Sequence, residues 1–122
     1  MASRAHRHER LAAEIRQEIQ IMLEGELKDP RLEGAISVSE VRLAPDLRLA
    51  RVYVVVEGGG EEQRRTLAGL EAASGYIRHE LTERLQLRPS PRLVFTLDRA
   101  PEYGARIEHL LDQVRRGGDE PE

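Results

Sequence analysis

The chain has 122 residues, the length of one domain. Its 39% hydrophobic content, with one Phe, three Tyr and no Trp, fits a single aliphatic core, and the absence of cysteine excludes disulfides and thiolate metal sites. The net charge of −3 argues against a uniformly basic nucleic-acid binder, so the distribution of charge has to decide.

That distribution is blocked. Residues 1–16 carry four Arg against two Glu, and residues 74–99 carry five Arg against three acids, while residues 17–34, 57–73 and 100–122 are net negative. Lys28 is the single Lys; the other 18 basic residues are Arg, which contacts phosphate in planar, bidentate fashion. No apolar run is long enough to span a bilayer, and the basic N-terminus has no apolar stretch behind it. A soluble, cytoplasmic monomer is expected.

The spacing of Leu11, Ile15, Ile19, Met22 and Leu23 predicts a helix from Arg4 to about Gly25, with basic first turns and an end enforced by Pro30. Residues 35–43 read as a strand: Ile36 and Val38 alternate with Ser37 and Ser39, then Val41 and Leu43 fall out of phase, which a bulge near Glu40 explains. Ala44-Pro45-Asp46-Leu47 is a turn. Arg48 to Val56 is the clearest strand, with Ala50, Val52, Val54 and Val56 on one face, and it pairs with the first as an antiparallel hairpin.

Gly58-Gly59-Gly60 reads as a loop. Glu61 and Glu62 then open a helix at its positive end. That helix is expected to be interrupted at Ser74-Gly75 and followed by a second one carrying Ile77, Leu81 and Leu85. A third strand runs from Arg92 to Asp98. A last helix starts at Pro101 and takes its apolar face from Ile107, Leu110, Leu111 and Val114. The expected architecture is α+β, a three-stranded sheet with helices on one face, over residues 1–114, followed by an acidic, disordered tail at 115–122.

A catalytic constellation is missing. Gly58-Gly59-Gly60 is followed by Glu61 and not by Gly-Lys-Ser/Thr, so it is not a P-loop. Ser74 follows a helix and lacks the leading Gly of a nucleophile elbow. His6, His8, His79 and His109 find no third ligand at a convincing spacing, so no metal site and no cofactor are expected.

The informative place is Ala73-Ser74-Gly75. Spacing alone leaves two readings: a helix end followed by a new helix without function, or a kink that aims unpaired amide donors and a positive helix end at a phosphate backbone, with Gly75 permitting close approach and Arg78 one turn on. KH domains clamp nucleotides with a comparable helix–turn–helix and a Gly-x-x-Gly loop.

Several runs, in order, carry a family resemblance: Leu27-Lys28-Asp29-Pro30-Arg31, Pro45-Asp46-Leu47-Arg48, Ala50-Arg51-Val52-Tyr53-Val54, Ala73-Ser74-Gly75 with Tyr76-Ile77-Arg78, and Gly104-Ala105-Arg106-Ile107 with Leu110-Leu111. Across roughly residues 4 to 112 the chain resembles the ribosome-binding factor A family. The resemblance implies a type-II KH-like fold in which an Ala-x-Gly kink between helices replaces the Gly-x-x-Gly loop. It also implies binding to the small ribosomal subunit and its 16S rRNA beside neighbouring ribosomal proteins, support of late maturation including processing of the precursor's 5′ end, a role in cold growth, and no catalysis.

Three groups of RNA contacts are expected: Ser74, Gly75 and Arg78 at the kink, Arg4, Arg7 and Arg10 on the first helix, and Arg84, Arg88 and Arg92 after the kink. Arg48 joins them, with Arg51 balanced between contact and solvated strand residue. The rival reading is a protein–protein adaptor without direct RNA contact; a small enzyme would need a polar cluster that the sequence does not supply.

Overall fold

The computed structural model describes the backbone of residues 4–119 and the side chains of residues 6–104 and 107–115. Helix α1 (Arg4–Ile21) is followed by a wide helical turn, Met22–Glu26, and a tight turn, Pro30–Leu32. Then come β1 (Ile36–Leu43), β2 (Leu49–Val56), α2 (Gly60–Leu85), β3 (Arg92–Leu97) and α3 (Ala100–Asp119). The architecture is α+β. The sheet order is β1-β2-β3, with β1 and β2 antiparallel and β2 and β3 parallel, α2 being the crossover that parallel pairing requires.

The alternation in β2 orients the sheet. Ala50, Val52 and Val54 are fully buried and Val56 nearly so, against Ile15 and Ile19 from α1, Met22 from the wide turn and Leu70, Ile77 and Leu81 from α2. Arg51, Tyr53 and Val55 point the other way, to a face that neither α1 nor α2 covers. The bulge expected near Glu40 is present: Val38 pairs with Val54 and Glu40 with Tyr53, so Ser39 is the extra residue. The phase shift lets both Val38 and Val41 reach the core. Ser39 Oγ donates to Asp98 Oδ2 at 2.6 Å, and Asp98 Oδ1 accepts the Ala100 N–H at 2.9 Å, tying β1 across β2 to the start of α3. Those two bonds hold the Asp98 carboxyl below its ordinary range.

Three expectations need correction. The first helix does not run as one α-helix to Gly25; it ends at Ile21, and the Leu27 N–H closes a wide turn on the Met22 carbonyl, which keeps Met22 buried while the chain swings toward Pro30. The interruption at Ala73-Ser74-Gly75 is absent as a break: α2 is one helix of 26 residues. Leu70, Ile77 and Leu81 are spaced to stay on one face, and burying three such side chains at roughly 1.5–3 kcal/mol each outweighs the penalty of about 1 kcal/mol for Gly in a helix. Ser74 bonds inward, its Oγ donating to the Glu71 carbonyl at 2.7 Å.

The third correction concerns α3. Its stripe of Tyr103, Ile107, Leu110, Leu111 and Val114 is 50–71% exposed, so it does not pack on the sheet as α1 and α2 do. The helix also continues through Val114 to Asp119, past the boundary expected at 114; residues 120–122 lie outside the described residues.

α2 approaches the Pro30–Leu32 turn at Gly69, where a Cβ would lie 2.9 Å from Arg31 Cβ and 3.0 Å from Leu32 Cδ2, so the helix packs there only without a side chain. Asp29 organises that turn. It caps it by accepting the Arg31 N–H at 2.9 Å and pairs with the Arg31 guanidinium at 2.6 Å. These bonds to Arg31, side chain first and backbone second, lower the Asp29 carboxyl from 3.8 to about 2. A depressed carboxylate contributes stability that is complete above its unfolded-state pKa, near 4, and is lost as pH falls toward the folded value. The melting-temperature difference between wild type and Asp29→Asn should therefore be constant above about pH 5 and shrink between about pH 4 and 2. A difference unchanged across that window would sink the cap's role.

Candidate nucleic-acid interface

One end of the domain is built by the hairpin turn. Pro45 sets the turn, the Leu47 N–H closes it on the Ala44 carbonyl at 2.9 Å, and Leu47 takes a left-handed conformation with φ 62°. Leu47 lines a pocket together with Leu11, Arg7 and His8 of α1, so the start of α1 lies beside the turn. α2 ends at the same place. Gln86, φ 52°, turns the chain left-handed with its N–H on the Thr82 carbonyl, and the following loop returns to β3, where the Arg92 N–H donates to the Arg48 carbonyl at 2.9 Å. Leu11, Leu43, Leu47, Leu85, Pro89 and Pro91 enclose a cavity of about 210 Å³ between these elements, with Arg88 on its lining.

The folding thus gathers Arg7, Arg48, Arg88 and Arg92, distant in sequence, at the hairpin-turn end, with Arg10 one turn further along α1. All five are exposed, and none pairs with a carboxylate among the described residues. α1 carries no acid in its first turn, so its positive end adds to theirs. The Arg4 side chain lies outside the described residues.

The other expected contacts divide differently. Arg84 sits in a cage: its guanidinium reaches Glu26, Glu80 and Glu18, the last two at 3.0 and 3.3 Å. Those bonds, Glu26 foremost, raise its pKa still higher, and the one to Arg84 lowers that of Glu26. Arg84 therefore clamps α1, α2 and the Met22–Glu26 turn together. Arg78 donates through Nε to Ser90 Oγ at 3.1 Å and through Nη2 to the Ser90 carbonyl at 2.8 Å, fixing the loop before β3. Ser74 and Gly75 lie about 15 Å along the helix axis from Leu85 at 1.5 Å per residue, so they do not join the hairpin-turn end. Gly75 is exposed with nothing within 4 Å of its Cβ position, but in a continuous helix its amide is not a free donor.

Sequence reasoning missed Arg42 and Tyr53. Arg42 lies directly across from Arg51 on the outer sheet face, and its Cζ stands 5.3 Å from the centroid of the Tyr53 ring. The signal was the bulge: once Ser39 is the extra residue, Arg42 must face outward with Arg51.

Elsewhere the features that attract ligands are occupied or absent. The Gly58–Gly60 loop is filled by the chain itself, the Gly59 N–H donating to Glu62 Oε2 at 2.9 Å. Among the described residues no group of three His, Cys, Asp or Glu could hold a metal, and no helix is long and apolar enough to cross a membrane.

A mixed three-stranded sheet with two helices on one face, and at one end a band of exposed arginines without an acidic partner among the described residues, define a small α+β protein. The chain belongs to the ribosome-binding factor A family, whose model matches residues 7–111. The ribosome-binding factor A of Koribacter versatilis is 50% identical, covering 91% of this chain and 89% of that one, and that of Acetivibrio thermocellus is 44% identical, covering 95% and 97%. The crystal structure of ribosome-binding factor A from Thermus thermophilus matches with a TM-score of 0.65 and 29% identity, covering 74% of this chain and 94% of that one. A homology model of the Thermus thermophilus factor, fitted into a cryo-EM map of its complex with the 30S subunit, matches with a TM-score of 0.61 and 30% identity over 75% of this chain and 96% of that one.

Proposed function

We propose that this chain binds the immature small ribosomal subunit and its 16S rRNA through the hairpin-turn end, as a cytoplasmic monomer. It supports late maturation of that subunit, including processing of the 5′ end of the rRNA precursor, and has no catalysis or cofactor of its own. The observation that carries this reading is the separation of the arginines. Arg31, Arg42, Arg84 and Arg99 are paired with acids of the chain, and among the arginines with no described acidic partner Arg7, Arg10, Arg48, Arg88 and Arg92 lie together at one end. Unpaired guanidiniums neutralise phosphates without first breaking an internal bond. The relative fitted into the 30S complex gives that polyanion a natural identity.

Within this reading Arg4 extends the basic start of α1. Ser74, Gly75 and Arg78 form a second, more distant contact in which Gly75 acts by its bareness and not by free amides. The adaptor alternative draws on one feature, the exposed apolar stripe of α3.

Salt separates the two. Co-sedimentation with purified immature and mature small subunits should show affinity falling steeply between about 50 and 200 mM salt, with a log–log slope of about −0.7 to −0.9 per phosphate contact. A flat salt dependence would favour the adaptor and overturn the arginine interface.

A further inference from the structure

The outer face of the sheet is a second charged surface, distinct in direction from the helix layer. On it Arg42 of β1 lies directly opposite Arg51 of β2, which in turn neighbours Val94 of β3. Arg92, two residues before Val94, shares that face. Like charges set directly across adjacent strands repel; Glu40 offsets the charge of Arg42, which leaves Arg51 as the cation an outside anion would relieve. Arg51 and Arg92 are exposed and pair with no described acid.

Arg42 is held differently. Glu40 Oε1 accepts its Nε–H at 2.9 Å, and the guanidinium rests over the Tyr53 ring at 5.3 Å. Glu40 and Tyr53 are themselves a cross-strand pair, so one acid and one ring fix the cation over the middle of the sheet. Around it Tyr53, Val55, Val94 and Thr96 are only half-buried, a partly open floor. Toward the opposite end the face turns acidic at Asp98, which marks where a polyanion would stop.

We propose that this face binds single-stranded RNA: one unpaired base stacks on the Arg42 guanidinium, itself stacked on Tyr53, while Arg51 and Arg92 take the flanking phosphates. Single strands offer what the floor requires, a free π-face beside a mobile backbone, and bases stack on arginine planes as on aromatic rings. A duplex keeps its bases stacked and would leave the Tyr53–Arg42 platform unused. Glu40 is a positioning residue that orients the guanidinium. The proposal goes beyond the small-subunit reading and does not depend on it.

The test is fluorescence anisotropy with a labelled oligouridine about twelve nucleotides long, a length within the usual site sizes of open-sheet binders. Arg42→Ala and Arg51→Ala are each expected to weaken binding about tenfold, in keeping with the loss of one stacking or charge contact. Arg42→Lys keeps the charge and loses the plane; it should weaken binding nearly as much as alanine, whereas a purely electrostatic role would leave it near wild type and remove the stacking claim. Tyr53→Phe should bind as wild type. Thermal melts matched to wild type establish that each surface variant folds. The proposal is overturned if wild type does not bind the oligonucleotide, or if it binds and the Arg42 and Arg51 variants bind equally well. Small-subunit co-sedimentation of an Arg48→Glu, Arg88→Glu variant shows separately whether the hairpin-turn interface stands.

Discussion

A chain carrying Arg48→Glu and Arg88→Glu together is expected to lose small-subunit affinity by at least about tenfold at moderate salt, with its melting temperature unchanged. Each replacement turns an attraction for phosphate into a repulsion. If each residue makes one phosphate contact, the log–log salt slope should become shallower by about 0.7 to 0.9 per residue. Neither guanidinium is engaged by an acid of the chain among the described residues, so the fold has little to lose, and surface changes of this kind stay within about 0.5 kcal/mol. Arg84 would be the wrong choice for this experiment despite lying in the same basic segment. Removing it leaves Glu18, Glu26 and Glu80 facing one another without a cation, so lost binding would report on the seam between the helices. Measured by co-sedimentation, unchanged binding of the folded double variant would remove the hairpin-turn end from the interface.

That contrast between Arg84 and Arg88 shows where the sequence stops being readable. Local rules carried the hairpin well. The alternation of Ala50, Val52 and Val54 named the buried face, the phase slip after Val38 located the bulge, and Pro45-Asp46 located the turn. The partners of the arginines were not readable, because Glu18 and Glu26 lie 66 and 58 residues from Arg84 in the chain. Nor does composition reveal that Arg7, Arg48, Arg88 and Arg92 meet, since their meeting depends on α1 starting beside the hairpin turn and on β3 joining β2 in parallel. The α3 stripe was legible as apolar but not as uncovered; a period of 3.6 says which residues share a face, not what that face touches.

The misread interruption yields the other large effect. Ser and Gly are weak helix formers, so a local rule breaks the helix at Ser74-Gly75. The tertiary structure instead runs one helix through because Leu70 and Ile77, fully buried on either side of that pair, must both reach the sheet. Two substitutions two residues apart should therefore act in opposite directions. Ile77→Ala removes a completely buried side chain on that shared face and should cost about 2–5 kcal/mol in denaturant unfolding, the spread depending on how far the core closes over the gap. Gly75→Ala meets nothing within 4 Å and should stabilise the protein by up to about 1 kcal/mol, because alanine is the better helix former and the site requires no special backbone angle. Destabilisation by Gly75→Ala would restore a true break at this position. The same variant also isolates Gly75's role in binding. It is more stable and carries no added charge, so weaker co-sedimentation with small subunits would have to come from the methyl group standing between α2 and the RNA backbone. Unchanged co-sedimentation would confine the interface to the arginines at the hairpin-turn end.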